Sequence, residues 1–367
     1  MKSTRNSKCS RIYKVLKEEI LSGKYKPDDL FYSETELIKR FDVSRPTTIR
    51  VLRDLQIENL LIRRAGSGTY VSAPPQNQSG TWGTMMDIGE SSQTLHPMIS
   101  QLLNATRKIN KTLIIGNHQW SELSNLSDEE RLSILCKPFF QSKIEGLFFV
   151  PFYDFHKAST LDPFNQVFLD HIRNANIPVV FLDFGMEPFP QQSDYDLVSS
   201  DHFQGGYLLG KHLLQKSPKK ICFLCTYHNE FIPSIQSRRE GMMCALREKG
   251  LSLSTTKIDP LDIDQVKTFI DKEKPDLLAC CTDGFAVKIM TTLHQLKIQI
   301  PQKIRILGFD NSPIAQYSIT PITTIQQPYD EIAEVAIKRL TDRITKLNIP
   351  TCVTLLKPKL IIRNSCP

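Results

Sequence analysis

With 367 residues, 40% hydrophobic and 23% charged, the chain is too long for one ordinary core and reads as two or three compact units. No run nears the roughly 18–20 apolar residues needed to cross a bilayer, and the polar, basic start Met1–Lys8 has no apolar segment behind it. The expectation is a cytoplasmic protein with no membrane partner. The formal charge of +7 is uneven: residues 1–75 hold 15 Lys+Arg against 9 Asp+Glu, leaving 31 against 30 elsewhere. A basic module joined to a neutral one points the first at phosphate and leaves the second another task.

The first predicted helix, Arg11–Leu21, carries Ile12, Val15, Leu16 and Ile20 on one face. Ser33-Glu-Thr-Glu36 reads as a capping box that opens a second helix with Leu37, Ile38 and Phe41 as apolar contacts. A short turn, Phe41–Val43, leads to Ser44 as the cap of a third helix, Arg45–Glu58, so the two helices form a helix-turn-helix. Leu60–Val71 follows as two short β runs around a glycine-containing turn, a hairpin wing. In the third helix Val51, Leu52 and Leu55 are assigned to the core, while Arg45, Thr47, Thr48 and Arg50 are assigned to the outer face. A recognition helix needs that division, because its first turn reaches base edges while hydroxyls and amides bond phosphate. Arg63 and Arg64 flank the hairpin tip, where Gly66 and Gly68 allow the backbone close to DNA.

Residues 10–72 resemble the GntR family of bacterial repressors through Ile20-Leu-Ser-Gly-Lys24, Ser33-Glu-Thr-Glu-Leu37, Val43–Arg50 and Gly66-Ser-Gly-Thr-Tyr-Val71. The resemblance implies DNA contacts from Ser33, Ser44, Arg45, Thr47, Thr48, Arg50 and Arg64, with Gly66 and Gly68 at the wing tip. Two departures stand out. The usual Pro-Gly-Asp before the second helix is Pro27-Asp28-Asp29, and the usual arginine after Ser-Glu is Thr35.

Residues 74–80, Pro-Pro-Gln-Asn-Gln-Ser-Gly, have linker composition and divide a DNA-binding domain at 1–73 from the remainder, 81–367. Beyond them, apolar runs of strand length alternate with amphipathic helices. The strand candidates are Trp82–Met86, Thr112–Ile115, Gly146–Val150, Pro178–Leu182, Leu197–Ser199, Lys220–Leu224, Leu277–Cys281 and Arg305–Phe309. Helical stretches include Gly205–Gln215, Arg238–Lys249, Gly284–Leu296 and Asp330–Thr345. This pattern predicts a two-lobed, doubly wound α/β domain, whose ligands bind at the carboxyl ends of strands. Asp183, Asp201, Asp283 and Asp310 each fall at such an end, and carboxylates there suit a hydroxyl-rich ligand.

Asp201–Gly210, Arg238-Arg-Glu-Gly241, Thr282–Ala286, Leu307–Asn311, Thr323–Pro328 and Pro358–Arg363 occur in an order that resembles the sensor domain of the LacI/GalR family and periplasmic sugar-binding proteins. The resemblance implies effector contacts from Arg238 and Asp283, then Asp310, Gln327, Asp183 and Phe184, with Asp201 structural. Asp183-Phe184 stands where the family has Asp-Arg, and Asp201-His202 where it has Asp-Asn. The segment expected to carry aromatics into the cleft, Ser91–His96, matches weakly. A GntR-type reader joined to a LacI-type sensor resembles the arrangement of the arabinose repressors.

Other chemistries lack their residues. Cys222 and Cys225 lie i,i+3 on a strand and point to opposite faces, and Cys280-Cys281 are adjacent, so the nine cysteines read as reduced core thiols without a metal. Asp183-Phe-Gly185 has no accompanying phosphate loop or His-Arg-Asp, and no P-loop, zincin helix or nucleophile elbow is present. The reading is therefore a repressor, not an enzyme, with no cofactor: a homodimer on double-stranded operator DNA, controlled by a small molecule of carbohydrate class. A constitutive DNA binder with a degenerate sensor, or an enzyme with a DNA-binding arm, are the alternatives.

Overall fold

A computed structural model describes residues 3–21, 24–26, 28–57, 60–64, 67–72, 80–86, 95–116, 123, 125–154, 160–186, 193–227, 229–346 and 349–367. The chain divides into two compact units, 1–80 and 81–367. Among the described residues no helix is long and apolar enough to cross a membrane.

The first unit opens with α1 (Ser3–Leu21), which begins eight residues before the predicted start. Cys9, Ile12, Leu16 and Ile20 recur at helical spacing and are buried. In α2 (Glu34–Phe41) the capping box forms: the Ser33 hydroxyl accepts from the Glu36 amide, and the Glu36 carboxylate accepts from the Ser33 amide. The helix stops at Asp42, whose left-handed φ of 48° turns the chain into α3 (Arg45–Ile57). Strands β1 (Leu61–Arg64) and β2 (Gly68–Val71) pair antiparallel as the wing, and Leu30 bridges to Tyr70 on its flank. Leu37, Val51, Leu52, Leu55, Leu60 and Val71 close one small core with α1.

The second unit is two parallel sheets. Strands β3 (Thr81–Met85), β4 (Thr112–Gly116), β5 (Gly146–Phe149), β8 (Val179–Leu182), β9 (Asp196–Ser200) and β15 (Val353–Leu356) form the first lobe in the order β15-β9-β8-β5-β3-β4. A two-residue hairpin, β6 (Tyr153–Asp154) with β7 (Thr160–Leu161), follows β5. Alternate side chains fill opposite faces, Phe148 and Val180 on one and Leu147, Phe149 and Phe181 on the other. Helices α4 (Leu95–Lys108), α5 (Asp128–Gln141) and α6 (Phe164–Asn174) cover those faces. The second lobe has the order β11-β10-β12-β13, from β10 (Ile221–Cys225), β11 (Ser254–Lys257), β12 (Leu277–Cys280) and β13 (Arg305–Leu307). Around it lie α7 (His202–Leu214), α8 (Pro233–Arg247), α9 (Ile263–Glu273), α10 (Asp283–Gln295) and the short α11 (Pro313–Tyr317). Seven of the nine cysteines are buried, and none of the nine is bonded to another.

Six strands escaped the sequence reading: the two-residue pair β6 and β7, the three-residue strand Thr324–Gln326, and three more. β11 is Ser-Thr-Thr-Lys on an edge, largely exposed, and so lacks the apolar run that betrays its neighbours. The other two, β15 and β16 (Lys359–Ile361), belong to the way the chain moves between lobes. It passes from β9 to α7, returns from β14 (Thr324–Gln326) to α12 (Tyr329–Thr345), and passes again from β15 to β16, which pairs antiparallel with β14. Helix α12 buries Ile332, Ala333, Ala336 and Leu340 against the first sheet. Its other anchor is electrostatic. The fully buried Asp196 takes Arg343 Nε at 2.6 Å, Arg339 Nε at 2.8 Å and the Cys352 amide at 2.8 Å. Burial pushes this carboxyl up, but the two guanidiniums and the amide outweigh it and hold it below the ordinary aspartate value.

Helices α7 and α8 cross at backbone contact through Gly206 and Gly241. A Cβ on Gly206 would stand 1.9 Å from the Arg238 carbonyl oxygen, and one on Gly241 1.9 Å from that of Phe203. Gly241→Ala should therefore force the helices apart and cost about 3 kcal/mol. Gly250→Ala meets open space and only a left-handed φ of 68°, so about 1 kcal/mol is expected. Urea midpoints of the two variants check the ranking.

Candidate functional site

In the first unit, the outer face of α3 and the wing gather arginines around two carboxylates. Glu34 accepts from Arg45 Nε at 3.1 Å and, through its other oxygen, from Arg63 at 3.2 Å. Arg64 pairs with Asp28 and lies over the Tyr70 ring at 4.6 Å. Arg45 remains 74% exposed and Arg50 is exposed one turn on. The departure at Asp28 has a local reason: its φ of 68° is the conformation a turn glycine would supply, and its amide donates to the Val71 carbonyl. Asp28 thus fastens the turn before α2 to the wing by both backbone and side chain. Gly68 has a φ of 125°, which a side chain would strain; Gly66 lies outside the described residues.

Two hydroxyls differ from expectation. Thr48 is 2% exposed and stands on the inner face with Val51, Leu52 and Leu55, so it cannot meet DNA as the helix stands; Ile49, 42% exposed, occupies the outer face beside Arg45 and Arg50. The spacing 48, 51, 52, 55 is itself the apolar stripe, and a hydroxyl on it went unrecognised. The Ser33 hydroxyl is committed to the capping box. Ser44 and Thr47 hydroxyls lie 3.0 Å apart at the start of α3. The Thr48 hydroxyl is buried without a hydrogen-bond partner. Thr48→Val should accordingly stabilise the protein by about 1 kcal/mol, seen as a raised urea midpoint, and leave DNA affinity unchanged in a shift assay.

In the second unit, Arg238 on α8 is 4% exposed and stands between the lobes. Its Nε meets His202 Nδ1 at 3.3 Å, one terminal nitrogen donates to the Cys281 carbonyl at 2.8 Å, and the other pairs with Asp310 at 3.3 Å. The guanidinium also lies 3.9 Å over the Phe309 ring. Gln327, at the return crossing, donates to Asp310 at 2.7 Å. On the first lobe Asp183 follows β8 with a φ of 67°, and its carboxylate is 2.8 Å from His202 Nε2. Asp183, Arg238, Asp310 and Gln327 are thus brought together at the carboxyl ends of β8 and β13, the place where doubly wound sheets take ligands. Burial pushes the Asp310 carboxyl well up despite Arg238. Burial also pushes Asp183 up, but His202 and Arg238 more than offset it and hold it low.

Asp283 and Phe184 stand otherwise than expected. Asp283 is fully buried and its carboxylate is consumed inside the second lobe: it accepts from the Ser312 amide at 2.8 Å, the Ser312 hydroxyl at 3.2 Å and the Thr324 hydroxyl at 2.6 Å. Thr282 caps α10, its hydroxyl accepting from the Phe285 amide. The donors lie 29 and 41 residues downstream, which is why the sequence around Asp283 did not disclose them. Phe184 is 8% exposed and packs edge-on against Tyr153 at 5.4 Å, inside the first-lobe cluster. Asp201 caps α7 through the Gln204 amide. Of the segment 91–96, residues 91–94 lie outside the described residues. His202, Phe309 and Tyr329 were missed as members of the cluster; His202 showed only as a departure from Asp-Asn. The Tyr329 hydroxyl is buried without a hydrogen-bond partner.

Burial pushes the Asp283 carboxyl from the ordinary 3.8 up to about 6, although Thr324 and Ser312 pull it down. The fold therefore favours the protonated form. The stability this titration adds is complete below pH 3.8 and is lost as the pH rises through about 6. Asp283→Asn should flatten that dependence. Asp283→Ala should strand the Ser312 and Thr324 donors, cost about 2–4 kcal/mol, and lower the melting temperature.

Residues 8–71 match the gntR family of bacterial regulatory proteins, and residues 211–366 match the periplasmic binding protein-like domain. The arabinose metabolism transcriptional repressor of Geobacillus stearothermophilus is 26% identical over 96% of this chain and 97% of its own. The ribose operon repressor of Escherichia coli (strain K12) is 25% identical over 79% of this chain and 83% of its own. Among solved structures, a periplasmic binding protein/LacI transcriptional regulator from Alkaliphilus metalliredigens QYMF complexed with D-xylulofuranose superposes with a TM-score of 0.63 at 23% identity, covering 79% of this chain and 100% of that one. A winged helix-turn-helix followed by a two-lobed sensor defines a ligand-responsive transcription regulator. The chain thus carries a gntR-family match ahead of a periplasmic binding protein-like match, and over nearly its whole length it is similar to arabinose metabolism transcriptional repressors.

Proposed function

We propose that the protein is a homodimeric repressor released from or delivered to operator DNA by a carbohydrate effector held between the lobes of its second unit. The observation that carries the effector site is Arg238, a buried cation at the junction of the lobes. Around it Asp183, Asp310 and Gln327 offer oxygens and an amide of the kind that bond adjacent sugar hydroxyls. Arabinose, ribose and D-xylulofuranose in the names and titles of similar proteins favour a pentose. On the DNA side, Arg45 and Arg50 on α3, with Arg63, Arg64 and Gly68 on the wing, are the contacts. Two such heads on one dimer gain affinity by reading two half-sites.

Purified protein titrated calorimetrically against L-arabinose, D-ribose and D-xylulose tests the sensor. Arg238→Gln should abolish the heat given by whichever pentose binds and leave intact the binding of duplexes selected from a random pool. Heat release by wild type and variant alike would overturn the site. On those duplexes Arg45→Ala should weaken binding about tenfold or more and broaden the selected sequence. An unchanged consensus would remove Arg45 from base reading.

A further inference from the structure

His202 is the first residue of α7, just beyond the crossing from β9, so it stands at the boundary between the lobes. It is 5% exposed and touches one charged residue from each side. Arg238 Nε can only donate, so His202 Nδ1, 3.3 Å away, accepts and carries no proton. The Asp183 carboxylate 2.8 Å from Nε2 is an acceptor, so Nε2 carries the proton. One protonation state satisfies both contacts, the neutral imidazole with its hydrogen on Nε2. We infer that His202 is the positioning residue of the effector site: in this tautomer it bridges Asp183 of the first lobe to Arg238 of the second, and protonation breaks the bridge. The inference rests on the effector site proposed above and adds its control by protons.

The second proton would sit on Nδ1, facing the Arg238 N–H and placing cation beside cation. The groups facing His202 are Asp183 at the end of β8, Arg238 on α8, and Asp201 at the cap of its own helix, with Asp310 behind Arg238 and the uncharged Phe309 ring tilted against it at 5.8 Å. Burial lowers the His202 pKa from 6.5; Asp183 raises it and Arg238 lowers it further. The neutral form is therefore the folded one. The stability it confers is present above pH 6.5 and is lost as the pH falls through the lowered value. Asp183 and Arg238 would then part, and a ligand spanning both lobes would lose its preset carboxylate and guanidinium.

Two variants and one spectrum test this. Glutamine can reproduce both contacts, its carbonyl accepting from Arg238 and its amide donating to Asp183, but it does not titrate; phenylalanine fills the space and makes neither. Nitrogen-15 spectra of histidine-labelled, ligand-free protein, assigned by difference with His202→Gln, should show Nδ1 bare and Nε2 protonated at neutral pH. The opposite tautomer, or an imidazolium, overturns the inference whether or not any pentose binds. With the pentose that binds wild type, affinity should fall as the pH drops from about 8 to 5. His202→Gln should bind with a clearly smaller acid loss over that range, the remainder coming from the buried Asp310 and Asp283 carboxyls, and His202→Phe should bind about tenfold or more weakly throughout. Wild-type affinity in His202→Phe, or an unchanged acid loss in His202→Gln, overturns it equally.

Discussion

The second unit is organised around one buried guanidinium. A cation at 4% exposure is tolerable only if its donors are met, and Arg238 meets them with a ring nitrogen, a main-chain carbonyl and a carboxylate from separate elements. Those elements are then fixed relative to one another. Cys281 follows β12, Asp310 follows β13, His202 begins α7, and the Phe309 ring lies beneath the charge. The glycines at the α7–α8 crossing serve the same end, because only a bare backbone at Gly206 lets the Arg238 main chain approach.

Carboxylates in this protein act in different ways according to what surrounds them. Asp196 holds α12 to the first sheet through two arginines, and Asp283 ties the α11 loop and β14 to the start of α10 through hydroxyls and an amide. Both are raised by burial; in the first two arginines and an amide outweigh that and keep it ionised, whereas in the second the Thr324 and Ser312 hydrogen bonds pull it only part of the way back. In the first unit Glu34 and Asp28 stand against arginines at the exposed surface, where solvent weakens each pair.

Much of this was legible in the sequence because it is local. The Ser33–Glu36 capping box lies within four residues, and the two-faced apolar runs of β5, β8, β10 and β12 announce a parallel sheet. Arg238, Asp310 and Gln327 were singled out through motif order, and the fold places them in contact with one another. What failed was non-local or ambiguous in chemistry. Thr48 looked like a surface hydroxyl although its spacing put it on the core stripe. Asp283 looked like a ligand contact because its donors arrive from distant residues. Phe184, expected to face a ligand, found Tyr153 instead. Edge strands β11 and β15 bury too little to show a pattern.

The interleaving of the lobes has a consequence for synthesis. Strand β15, the edge partner of β9, and helix α12, which covers one face of the first sheet, come from the last part of the chain. A nascent chain that stops short of α12 already contains the whole first unit and five of the six first-lobe strands. It also presents β9 as an open edge, with Asp196 lacking both arginines and the Cys352 amide. Such an edge invites pairing with other chains until the final strand emerges. The DNA-reading head thus leaves the ribosome early, well before the lobe behind it can close.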